Sequence, residues 1–237
     1  MATRLKAALP LTLSIGLLAF LASEVALNFT FHWVTVENGV FGAYGVPQNV
    51  HLILPALFVA WGLYFLLGAD NAALGKTVIA AATGSAGAGI AMWIGPMLAE
   101  SPDFWGIALM IGVTGAGLVV LSTTVDDDRF SPAPAFCCYA AVFFWWIATG
   151  LDNFVPGGKG PHSAEAVVAA ITDTPLAAGT GAFGGLLSMS WIAVIVSVFF
   201  SLVVGALLGA LSVRLAGAFG KAGARETPAE PKVAVNA

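Results

Sequence analysis

Charge is what this sequence has least of. Only 9% of its 237 residues are charged, against about 25% in an ordinary soluble domain, which excludes a water-covered surface over most of the chain. Cysteine is nearly as scarce. The two present, Cys137 and Cys138, are neighbours, so they make neither a disulfide framework nor a zinc-ligand spacing. The histidines, His32, His51 and His162, bring no third ligand at metal-site spacing, and zinc or haem ligation is not expected. A nucleophile constellation, a phosphate-cradling loop and a nucleic-acid signature are missing as well. These absences predict no cofactor, no metal, no nucleic-acid partner and no enzyme activity.

What is there is apolar length. Hydrophobic residues make up 59% of the chain, and a membrane crossing needs roughly 20 of them in a row. Six stretches qualify, at about 7–33, 48–67, 75–98, 104–124, 133–151 and 188–215. The sequence therefore predicts an all-α polytopic membrane protein with the lipid bilayer as its solvent. Its membrane domain would cover 1–219, followed by a polar, disordered cytoplasmic tail over 220–237. The start, MATRLK, could open a signal peptide, but the apolar run continues past a usual h-region and lacks an A-x-A site, so it reads as a retained span. With six spans and the N-terminus inside, Arg4, Lys6, Lys76, Arg129, Arg214, Lys221, Arg225 and Lys232 fall on the inner side and only Lys159 on the outer. That basic asymmetry places both termini in the cytoplasm.

The chain also echoes itself. PALFVAWGLYFLLGADN, from Pro55, parallels PAFCCYAAVFFWWIATGLDN, from Pro134, and both end in Gly-x-Asp-Asn. AAATGSAGAGIAMWI, from Ala80, parallels AAGTGAFGGLLSMSWI, from Ala177. Matched segments of opposite direction, in units of three spans, form a 3+3 inverted repeat, an architecture that holds a solute path between its halves. The second glycine-rich copy, near 176–187, precedes a run long enough to cross alone, and so would be re-entrant or interfacial. Asp70 and Asp152, ending the echoed helices, are read as caps for the helices that follow.

GKTVIAAATGSAGAGIAMWI from Gly75, the preceding ALFVAWGLYF, and RFSPAPAFCCYAA from Arg129 resemble an uncharacterised family of small multi-span bacterial inner-membrane proteins. The resemblance covers about half of the chain. It implies a bacterial inner membrane and supplies no substrate or catalytic residue.

Polar residues inside the spans are the candidates for function, because membrane-embedded ionisable groups are costly and usually face a bundle interior or a watery cavity. Glu24, Asn28 and His32 recur at four-residue intervals on one face of the first span. Structural glue between helices and a solute or proton path both fit that stripe. His51 would sit near His32 at the outer mouth, and Gly84, Ser85, Thr180 and Gly181, from the two glycine-rich segments, would complete the path. Trp61 and Tyr64 in the second span, with Phe144 and Trp145 in the fifth, are either an interfacial belt or an aromatic constriction. The expected function is a channel or secondary transporter for a small solute. The alternative is a non-transporting subunit scaffolding a larger membrane complex, and homo-oligomerisation or a membrane partner is expected in either case.

Overall fold

The computed structural model describes residues 2–30, 50–98, 105–126, 129–149, 189 and 191–225. These hold six α-helices and no strand: α1 (Ala2–Asn28), α2 (Leu54–Leu66), α3 (Asn71–Ile94, continued by a 3-10 turn over Gly95–Leu98), α4 (Trp105–Thr124), α5 (Pro132–Ala148) and α6 (Trp191–Arg225). The protein is an all-α polytopic membrane protein. Four helices, α1, α3, α4 and α6, are long and apolar enough to cross a bilayer, whereas α2 and α5 have 13 and 17 residues. The last helix continues through Arg225, a few residues past the expected start of the tail at 220. Residues 226–237 lie outside the described residues.

The short helices follow from proline and extended backbone. Pro55 and Pro132 sit in the first turns of α2 and α5, where a missing N–H costs nothing. The residue before each helix, Ile53 or Ser131, is extended. A 13-residue helix spans only ~20 Å. The four residues 50–53 ahead of it add about 13 Å at strand rise, enough to complete a crossing of ~30 Å.

Side-chain pairings give the direction of each helix. Along α2 and α6, His51 pairs with Ser197, Ile53 with Ser201, Leu57 with Gly205, and Trp61 and Tyr64 with Gly209, so the two run parallel. Between α1 and α6, Ser14 pairs with Ser212 and Pro10 approaches Gly220, so these run antiparallel. The α3–α4 pair is also antiparallel, with Gly87 near Leu118 and Gly95 near Ile107. With the short connections from α2 to α3 and from α4 to α5, directions alternate along the chain, and the N-terminal end of α1 and the C-terminal end of α6 lie on one face. Lys6, Lys76, Arg129, Arg214 and Lys221 all belong to helix ends or turns on that face.

The pattern of helix neighbours is similar when α1, α2, α3 are exchanged for α4, α5, α6. The two largest interfaces are α2–α6 and α3–α5, the partner pair across the centre is α3–α6, and α1 covers α6 as α4 covers α3. Each large interface has a glycine where backbone meets backbone. A Cβ on Gly205 would strike the backbone carbonyl group of Leu57, with the carbon at 2.8 Å; a Cβ on Gly84 would strike the Ala135 carbonyl, with Cys138 Cβ and Tyr139 N at 2.8 Å. Close backbone approach is how lipid-embedded helices gain packing energy. This pattern of neighbours fits a 3+3 repeat, with α3 matched to α6. One sequence correspondence is corrected: Met92-Trp93-Ile94 ends α3, whereas Met189 and Trp191 stand at the beginning of α6. In antiparallel helices those ends share a face, so the glycine-rich echo from Ala177 is not the repeat register.

Candidate functional site

The polar centre of the bundle lies at the extended segment leading into α2. At this depth backbone groups have no water to bond, so non-helical chain persists only where protein or a wet cavity satisfies it. Here hydroxyl groups do so. The His51 N–H donates to Ser197 Oγ at 3.0 Å and the Ile53 N–H to Ser201 Oγ at 2.8 Å, while Thr30 Oγ1 donates to the Leu52 carbonyl at 2.8 Å. Ser197 and Ser201 are one turn apart on α6, matching the spacing of alternate N–H groups in an extended chain. Ser201 Oγ donates in turn to the Ser197 carbonyl at 2.6 Å.

His51 is 2% exposed. Its ring N–H donates to the backbone carbonyl of Thr30, at the wide last turn of α1, where helix carbonyls lack an intrahelical donor. Nδ1 has no partner among the described residues. The site thus joins a hydroxyl-bonded backbone, a held imidazole and one buried acceptor without a partner among the described residues.

Beside it, a cleft of about 580 Å³ opens between α2 and α5, bordered by Ile53, Phe58, Leu63, Cys137, Phe144 and Trp145. Ile53 belongs to both features, so the cleft begins at the hydroxyl-lined segment. It is the seam between the two halves.

Among the described residues, the sequence-predicted ones do not converge on a single path. Glu24 is exposed and Asn28 half-exposed. The buried stripe of α1 is Ser14, Leu18, Ala26 and Thr30, two residues out of phase with Glu24, which turns the carboxyl to the opposite side of the helix. Asn28 Nδ2 instead donates to Glu24 Oε1 at 3.0 Å. Gly84 is the α3–α5 contact point rather than a pore surface. Ser85 is buried, and its hydroxyl has no partner among the described residues. His32, Thr180 and Gly181 lie outside the described residues.

The aromatic set is split as well. Trp61 and Tyr64 are buried against Gly209, and the Tyr64 hydroxyl donates to the Ala69 carbonyl at 2.6 Å. Phe144 is exposed, while Trp145 donates its indole N–H to Met189 Sδ at 3.2 Å. A helix turns about 100° per residue, so clusters read as one constriction face different neighbours. Only Phe144 and Trp145 border the cleft, together with Phe58. The α6 glycine face is also assigned: α2 covers Gly205 and Gly209, leaving neither open to lipid. Asp70 does cap α3, accepting from the Ala73 N–H at 2.7 Å. Asp152 lies outside the described residues.

Sequence reasoning passed over Ser197 and Ser201. Their signal was legible: two hydroxyls one turn apart in an apolar run, opposite a helix too short to cross alone.

Residues 12–217 match a family model described as "Protein of unknown function (DUF1097)", well beyond the half of the chain that carries the sequence resemblance. Neither the curated proteins nor the solved structures contain a match.

Proposed function

Starting from a chain that belongs to the DUF1097 family, whose function is unknown, we propose that it is a channel or secondary transporter for a small solute. The observation that carries this reading is the break at residues 50–53. An extended, hydroxyl-satisfied segment crosses part of the membrane's thickness at the seam of an inverted repeat, where transporters of that architecture hold their substrates. The His51 Nδ1 acceptor suits a solute bearing an N–H or O–H group. The apolar cleft between α2 and α5 suits a small carbon skeleton and disfavours hydrated ions. We place the basic face of the bundle in the cytoplasm of a bacterial inner membrane, the side that basic residues favour.

The test is solute uptake into proteoliposomes, screened across small amides, amines, carboxylates and ions. His51→Phe is the informative variant, because it keeps a planar ring and removes both ring nitrogens. We expect at least one class to be taken up and His51→Phe to slow it tenfold or more with the fold intact. Uptake of no class by folded protein, or uptake indifferent to His51→Phe, overturns the reading.

A further inference from the structure

We infer that the outward face of α1 is the contact between two copies of this chain, packed about a two-fold axis along the membrane normal, with Glu24 and Asn28 at its centre.

Depth makes the inference necessary. Ser14 bonds the carbonyl of Ser212 on antiparallel α6, so ten residues further along α1, Glu24 stands level with Leu202. The α6 run Trp191–Val213 carries no charged residue, and Leu202 lies about 17 Å from each end of it at helical rise. The hydrocarbon core is about 30 Å thick. Glu24 is therefore a carboxyl at mid-membrane on an outward surface, among exposed Phe20, Leu21 and Val25. Bare lipid is an unfavourable neighbour for such a group. Asn28 engages one oxygen, and the described residues offer the other none.

A second copy is the occupant that the face itself specifies. Each chain carries an acceptor (the carboxyl) and a donor (the Asn28 amide) one turn apart. Asn28 spends one N–H on the Glu24 carbonyl at 2.9 Å, and turning it outward would supply a partner's carboxyl. A two-fold operator makes the same exchange twice, as an isologous interface requires. The ridge continues at four-residue steps through Phe20, Gly16 and Thr12. Gly16 and Thr12 are exposed, and a Cβ on Gly16 would meet nothing within 4 Å. A small-xxx-small pair beside polar groups is what lets lipid-embedded helices pack closely, and no other described residue covers this face of α1. The inference holds whether or not the His51 segment conducts a solute.

The experiment is disulfide cross-linking of the full chain in lipid vesicles at low protein density, in a Cys137→Ser, Cys138→Ala background. Phe20→Cys should give a dimer, and Val120→Cys, equally exposed on α4 (66% and 61%), should not. Adding Gly16→Leu or Glu24→Leu should lower the Phe20→Cys dimer at least fivefold. Gly16→Leu meets nothing in the chain's own packing and Glu24→Leu removes only the surface bond from Asn28, so unfolding temperature should hold and a misfolded variant would be recognised. Energy transfer between separately labelled chains should fall in parallel. Equal cross-linking at the two cysteines, a dimer indifferent to both leucine variants, or a different protein captured at Phe20 in native membranes overturns the inference.

Discussion

The segments that lead into α2 and α5 occupy corresponding places in the repeat and differ in chemistry. Four residues before Pro55 stands His51; four before Pro134 stands Phe130; each is 2% exposed. The facing helices differ in the same sense. Four residues before Gly205 on α6 is Ser201, which holds the Ile53 N–H; four before Gly84 on α3 is Ala80, which has nothing to offer. One lead-in is a hydroxyl-lined polar site and the other an aromatic plug, on an otherwise shared scaffold. Duplication supplies the frame, and the chemistry resides in the few positions where the copies disagree.

The largest expected effect breaks the shared frame. Gly205→Leu and Gly84→Leu should each destabilise the bundle by about 3 kcal/mol or more, the upper range for overpacking, because the new side chain meets backbone that no rotamer change can move. Thermal unfolding in detergent reads this directly. The two losses should be similar in size, since the two seams have the same construction. A Gly84→Leu protein as stable as the wild type would show that only one seam is tight and that the symmetry is superficial.

The next effect separates the halves. Ser201→Ala leaves the Ile53 N–H without its acceptor inside the bundle, and an orphaned buried donor costs about 1–3 kcal/mol. Reduced unfolding temperature, with faster amide exchange confined to the segment before α2, is the expected outcome. Exchange unchanged at Ile53 would mean that water already reaches this backbone.

Much of the frame was legible in the sequence, and the site was not. Apolar runs fix the number of crossings, and Pro55 and Pro134 with their aromatic helices expose the repeat, because periodicity and proline act locally. The facing of Glu24 could not be read the same way. A stripe on a helix is visible in a sequence, but which side of that helix meets the bundle depends on Ser14, Leu18, Ala26 and Thr30 finding α6 and α2. The glycine-rich echo misled for a related reason: glycine and alanine match themselves cheaply, whereas register is set by where Gly84 and Gly205 admit a neighbouring backbone. His51 is visible in the sequence as a polar residue, but its importance comes from two serines in α6, almost 150 positions away.

The smallest expected effect would make the halves more alike. The residue after Gly84 is Ser85, and the residue after Gly205 is Ala206; both are buried, at 3% and 0% exposure. The Ser85 hydroxyl has no partner among the described residues, so it contributes no bond that its removal would forfeit. Deleting an unsatisfied polar group returns its desolvation cost, while the loss of a single oxygen opens little space. Ser85→Ala should accordingly be neutral or slightly stabilising, within about 0.5 kcal/mol, against the 1–3 kcal/mol set by an orphaned partner. Matched unfolding curves for the two proteins would identify Ser85 as a tolerated difference between the copies. A clear loss of stability would show instead that its hydroxyl bonds a group outside the described residues or an ordered water, and would mark a second polar position in the seam between α3 and its neighbours.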